Sequence, residues 1–179
     1  MLNPGPWVDH SKVVGNCAKR IAEKCVDLNA DHAYVLGLLH DIGRRMGDDV
    51  RHIVDGYDIM NGMGYHDCAR ICLTHSFPYK NSKAYSGKDD CTEEESKFVR
   101  MFLDPLEYDD YDKLIQLCDA ISLPSGPTKI EKRLIDVTMR RGFNDFTILK
   151  WKAFFQLKEY FDTKTKNDIY ELIYVDRNR

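Results

Sequence analysis

His40 and Asp41 stand side by side in the apolar run Leu38-Leu39-His40-Asp41-Ile42-Gly43-Arg44. An imidazole and a carboxylate are seldom buried unless they are paired or hold a metal, because an unpaired charge is so poorly solvated there. Neighbouring helical residues point about 100° apart, so such a pair at a helix end can grip one ion from two directions. Four further residues carry donors of the same kind: His10, His52, His75 and Asp119. Imidazole and carboxylate suit Fe, Mn, Co, Ni or Zn, and no thiolate is required. The pattern reads as the centre of a hydrolytic metal site, with one or two divalent transition metals as cofactor and a metal-activated water as nucleophile. No G-x-S-x-G, P-loop or G-x-G-x-x-G is present to argue another chemistry.

The elements that must position these residues read as helices almost throughout. A first helix is expected over 11–28, with Val14, Cys17, Ile21 and Cys25 on one stripe and His10 at its opening. A second is expected over 31–45, with Asp31 as N-cap and Gly47 as stop, so that His40 and Asp41 fall near its end. Helices over 51–63 and 67–74 place His52 at a start and His75 at an end, with Gly62, Gly64 and Tyr65 turning between them. The polar stretch 77–92 is the one long loop, read either as a lid or as a solvated connection. Thr92-Glu93-Glu94-Glu95 resembles a capping box opening a helix that ends before Pro105. A helix over 112–122 carries Asp119 in an apolar segment, and Pro124-Ser125-Gly126-Pro127 breaks it. Three more are expected over 129–141, 147–163 and 167–174. Their aromatics (Trp151, Phe154, Phe155, Tyr160, Phe161, Tyr170, Tyr174) read as core packing, with a homo-oligomer contact as the alternative.

Length and composition narrow the classes. At 179 residues and 43% hydrophobic, the chain fits one globular all-α domain over 1–179. Its net charge of −3 gives no footprint for a nucleic-acid duplex or an anionic membrane. No apolar run reaches transmembrane length, and the first residues do not read as a signal peptide, so the cytoplasm is the expected location. The six cysteines form no C-x-x-C and read as small buried hydrophobes, reduced as a cytosolic protein's would be. His32 and His66 lie at polar helix starts among acids and read as surface or outer positions.

Taken together, His10, the His40-Asp41 pair thirty residues on, and the apolar-flanked Asp119 resemble the H…HD…D signature of the HD superfamily of metal-dependent phosphohydrolases. The resemblance spans a core of about 7–125, leaving about 128–179 as a C-terminal helical extension, and it implies an HD-type helical bundle. The run HDIGR is close to the HDIG-K form of the motif, with Arg44 in the place of the Lys. Several HD subfamilies carry two further histidines, here His52 and His75, and bind two metals. By that resemblance His10, His40, Asp41 and Asp119 hold one metal, and His52 and His75 hold a second, with Asp41 bridging.

The implied substrate is a small phosphorylated or nucleotide-like molecule. Asp41 and Arg44 are the expected catalytic residues, and a guanidinium at Arg44 suits phosphate. Arg45 is a weaker candidate. Lys129 and Arg133 are expected at the same mouth; Lys80, Lys83 and Lys88 of the long loop read either as closing over a ligand or, the favoured reading, as solvated surface charge. Thr74-His75-Ser76-Phe77-Pro78 lacks the His-His-Glu and Gly-Tyr-Pro of the cyclic di-GMP phosphodiesterases. Cys118-Asp119-Ala120-Ile121-Ser122 keeps the Asp of the diadenosine-tetraphosphate hydrolases but not their Glu-Pro and Arg. The likeness therefore supports a reaction class without a substrate. A non-catalytic nucleotide-sensing or scaffolding domain, and a purely structural metal site, are the competing readings. A complete donor set argues against the first, and the absence of a closed Cys/His tetrahedron against the second.

Overall fold

The computed structural model describes residues 5–47 and 49–174. Its architecture is all-α: α1 (Trp7–Ala22), α2 (Ala30–Leu39), α3 (His52–Gly62), α4 (His66–Thr74), α5 (Glu93–Leu103), α6 (Asp110–Ala120), α7 (Ile130–Arg141), α8 (Thr147–Thr165) and α9 (Ile169–Ile173). Two 3-10 turns, Ile42–Arg45 and Ser82–Ala84, interrupt the connections. A two-residue hairpin pairs β1 (Ser122–Leu123) with β2 (Gly126–Pro127) in antiparallel register. No helix among the described residues is long and apolar enough to cross a membrane.

Helix α1 ends at Ala22, six residues before the expected end at 28, and Cys25 is buried from the turn that follows. The early stop frees Asn29 to cap α2: its side chain accepts from the His32 N–H at 2.9 Å, and its own N–H donates to the Tyr111 hydroxyl. Asp31, the expected cap, lies in the first turn instead and pairs with Lys19. Helices α1 and α2 then pack closely through two glycines, for a Cβ on Gly37 would lie 2.8 Å from the Gly15 Cα.

Helix α2 stops at Leu39, short of the expected end at 45. His40 is its C-cap, and Asp41 leaves helical geometry at φ −104°, ψ 16° before the 3-10 turn. The turn is held against the start of α3 by Gly43, where a Cβ would meet the His52 carbonyl oxygen at 1.9 Å. The capping box of α5 forms as the sequence implies, with Thr92 and Glu95 each accepting from the other's N–H. A second box, Asp109 with Asp112, opens α6 two residues earlier than expected. The Pro/Gly breaker is the turn of the β1–β2 hairpin.

One apolar cluster runs from Val14 and Ile21 of α1 through Leu114 and Leu117 of α6 to Phe154, Phe161, Ile169 and Ile173 of the last two helices. A second, smaller cluster gathers Val50, Ile53, Leu73, Phe77, Val99 and Leu103 beneath the 77–92 segment. That segment is therefore anchored: Phe77 is fully buried and Tyr108 donates to its carbonyl. Five of the six free cysteines are buried, and Cys91 is half-buried.

Candidate metal centre

The ends of five helices converge on one point. His10 comes from the first turn of α1, His40 and Asp41 from the break after α2, His52 from the start of α3, His75 from the C-cap of α4 and Asp119 from the last turn of α6. All are buried except Asp119, whose side chain retains 23% of its exposure. Asp41 Oδ1 lies 3.2 Å from His52 Nε2 and 3.4 Å from His75 Nε2, and Asp41 Oδ2 lies 3.6 Å from His40 Nε2. His10 Nε2 lies 3.0 Å from Asp119 Oδ1.

Backbone carbonyls fix three of the imidazole tautomers. His40 Nδ1 is 2.7 Å from the Gly37 oxygen, His52 Nδ1 is 2.6 Å from the Asp49 oxygen, and His75 Nδ1 is 3.0 Å from the Cys72 oxygen. A carbonyl can only accept, so each Nδ1 carries a proton, and in the neutral ring, the form that binds a metal, each Nε2 presents a lone pair. The Nε2 atoms of His52 and His75 then face each other at 3.3 Å, beside the Asp41 carboxylate. Acceptor meets acceptor with no proton between them, an arrangement that a cation resolves. A His whose second nitrogen is anchored to a carbonyl is also the usual outer support of a metal ligand.

Burial and charge keep these groups in the forms a metal requires. Burial pushes the His40 imidazole down to about 3 and also lowers His52, which Arg44 lowers further, so both stay neutral at pH 7. Burial alone would raise the Asp41 carboxyl, but the opposing charge of Arg44 counters it, and the carboxyl is held well below its ordinary range. Asp119 is lowered in the same way, with His10, Arg133 and His40 overcoming its burial.

The donor set fits a divalent cation on the structure's own terms. His40 Nε2, His10 Nδ1 and Asp41 Oδ1 are buried without a hydrogen-bond partner among the described residues. His52 and His75 approach Asp41 Oδ1 but lie off the hydrogen-bonding direction. Orphaned buried polar groups cost about 1–3 kcal/mol each. Two overlapping triads, His10/His40/Asp119 and His40/Asp41/His75, bring their ligand atoms within 4.8 Å of one another. His40 is thus shared, and His52 adjoins the second triad. Ser76, whose hydroxyl lies 3.0 Å from His75 Nε2, reaches a ligand lone pair from outside the set.

The centre opens into a cavity of about 490 Å³. Arg44 reaches it from the 3-10 turn, its Nε donating to Asp41 Oδ2 at 2.6 Å and its guanidinium set beside Tyr85. Arg133 also lines the cavity, 3.7 Å from Asp119 Oδ1. Lys129 is placed elsewhere: it precedes α7, its ammonium is 6.0 Å from the centre of the Tyr170 ring, and it does not line the cavity. Lys129 is the N-cap of α7 with extended backbone (φ −77°, ψ 149°), so the helical i, i+4 relation that would put it on the face of Arg133 does not hold for it. Lys80, Lys83 and Lys88 do not line the cavity either, and Lys80 is tied to the Leu106 carbonyl. The residues of that segment that do line it are Tyr85 and Ser86.

Sequence reasoning missed Ser76, Tyr85, Lys150 and Trp151 at this mouth. Tyr85 had one local signal, a large aromatic amid the polar residues 80–92. Lys150 had none, since only the docking of α8 against α6 brings it there.

Residues 7–123 match the family model described as HD domain. The chain belongs to the HD domain family. That membership places it in the superfamily of metal-dependent phosphohydrolases, whose HD domains bind divalent metals, and the His/Asp triads here can hold such ions. No solved structure matches the chain. The family match ends at Leu123, so the HD segment supplies all six candidate ligands and Arg44, while Arg133 and Lys150 of the cavity wall lie beyond it.

Proposed function

We propose that this HD domain is a phosphohydrolase of the HDIG-type, six-ligand subgroup, cleaving a phosphoester or phosphoanhydride bond of a small nucleotide-like substrate. The observation that carries this reading is the convergence of three carbonyl-anchored imidazoles, each presenting an Nε2 lone pair, on the buried Asp41 carboxylate. His10, His40, Asp41 and Asp119 would hold one metal, and His52 and His75 a second with Asp41 shared. Metals held there would activate water near neutral pH and neutralise charge on a phosphoryl oxygen.

The chain's own residues do the rest. Asp41 fixes Arg44, so the guanidinium meets a phosphoryl group in a set orientation with little entropy left to lose. Tyr85 closes over Arg44 and the His52 ring, whose centre is 6.0 Å from its own, and limits the water around them. The Asp119 carboxylate, held by His10 and Arg133, faces the cavity beside the same point. In the overall reaction a water oxygen bonds to phosphorus, the bond to the leaving oxygen breaks, and that oxygen departs with a proton.

Elemental analysis of protein purified without chelators, paired with a nucleotide-hydrolysis assay, tests the proposal. About two metals per chain are expected, falling to about one in His75→Ala, as a two-metal centre requires. In the double variant His40→Ala/Asp41→Ala, hydrolysis should drop by at least about 10³-fold, the scale on which loss of an electrostatic centre is felt. Full activity in that double variant would refute the proposal.

A further inference from the structure

The wall beside the candidate metal centre carries more cationic than anionic side chains. Five cationic side chains line the cavity (Arg44, Arg133, Arg140, Arg141 and Lys150) against three carboxylates, Asp41, Asp119 and Asp136. Asp136 is shared by Arg133 and Arg140, and Arg141 is turned to Asp49. Lys150 has no ion-pair partner among the described residues; its one close contact of this kind is the Tyr85 ring, 5.9 Å from its ammonium. A half-buried ammonium that faces a cavity, acted on by Asp119 but in ion-pair contact with no carboxylate among the described residues, is a site prepared for an anion from outside.

Position decides what kind of anion. The Arg133 guanidinium lies 3.7 Å from the ligand oxygen of Asp119, so this wall stands beside the metal centre. A phosphate on the far side of a sugar would not bring its charge back to that place. The next phosphoryl group of a phosphoanhydride chain would, because it shares a bridging oxygen with the one at the centre. We propose that Lys150 and Arg133, on two of the helices beyond the HD segment, form a subsite for the second phosphoryl group of a di- or polyphosphate, making Lys150 a specificity-determining residue. Arg44 serves the group at the metals, and Lys150, a compact point charge with rotatable donors, serves its neighbour. This inference rests on the hydrolase reading for its substrate but not for its test.

The test is calorimetric titration of the full chain at saturating Mn²⁺ with inorganic pyrophosphate and, separately, inorganic phosphate. Wild type should bind pyrophosphate at least about tenfold more tightly than phosphate, and Lys150→Gln should weaken pyrophosphate by about 10- to 100-fold, the worth of one charged hydrogen bond. Phosphate affinity should stay within about twofold, since it needs only the metals and Arg44. Lys150→Arg, which keeps the charge, should retain most of the preference, and unchanged circular dichroism would show that both variants fold. Unaltered pyrophosphate binding in Lys150→Gln, an equal loss for both probes, or binding of neither by wild type would each overturn the subsite. Turnover separates the two readings. A protein that hydrolyses no nucleotide yet shows the split keeps the subsite and loses the hydrolase. Equal kcat/KM on a nucleoside mono- and diphosphate, unmoved by Lys150→Gln, does the reverse.

Discussion

Lys150 shows how one residue can work against the fold that holds it. Burial in the cavity wall, opposed by Asp119 and reinforced by Arg133, pushes its ammonium down to about 8 from an ordinary 10.5. Below pH 8 both the folded and unfolded chains hold the proton, and the folded state bears the whole penalty. Between pH 8 and 10.5 the unfolded chain binds more protons than the native one, so stability rises with pH across that window. Lys150→Met removes the penalty. In metal-free protein at pH 7 the variant should be more stable by about 1–2 kcal/mol, after allowing for solvent screening of a half-exposed group. That is a rise of about 2–8 °C in Tm for a chain of this size. The advantage should shrink above pH 8 and vanish by pH 10.5. Melting curves of the two proteins from pH 7 to 10.5 check this, and parallel curves would mean that the ammonium is fully solvated. A side chain that lowers stability where it stands is retained for what it meets there, which is the trade-off common at binding sites.

At the scale of elements, the site depends on how closely the break after α2 can approach α3. Gly43 sets that distance, because a Cβ there would collide with the His52 carbonyl oxygen and crowd the Gly56 nitrogen. Both partners are backbone and cannot rotate aside. Gly43→Ala should therefore cost about 2–4 kcal/mol, as overpacking against backbone does. It should also draw His52 off Asp41, lowering metal stoichiometry along with Tm. Gly47→Ala, with nothing within 4 Å of its added Cβ, is the matched control and should change Tm little. An undisturbed metal content in Gly43→Ala would show that the break is more pliant than its contacts imply. The same contrast explains what could be read from the sequence. Thr92 and Glu95 announced a helix start because capping is satisfied within four residues, and His52 and His75 fell at helix ends that local pattern located. The end of α1 at Ala22 and the break at Asp41 are set by what α2 and the 3-10 turn must pack against, and no local signal encodes that. Lys129 and Lys150 show the limit most plainly. The first was near the site in sequence and is turned to Tyr170, whereas the second was distant and stands in the wall.

At the scale of the whole molecule, the helices beyond the HD segment are continuous with its core. Phe154, Phe161, Ile169 and Ile173 are each at most 6% exposed and belong to the same apolar cluster as Val14, Ile21 and Leu117. Polar ties reinforce the docking: Arg20 donates to the Ile173 carbonyl, and Lys164 pairs with both Asp27 and Asp110. Removing residues 129–179 would uncover those four large side chains' worth of contact at about 1.5–3 kcal/mol each, roughly 6–12 kcal/mol in all. Domains of this size are stable by only about 5–15 kcal/mol. A fragment ending at residue 128, although it spans the whole family match, should therefore show no cooperative thermal transition by circular dichroism and no stoichiometric metal binding. A cooperative melt with metal retained would make the last three helices an appendage that contributes only the cavity wall. Loss of both would mean that the metal centre and the wall that reads its substrate were stabilised together, by one core, with neither able to form alone.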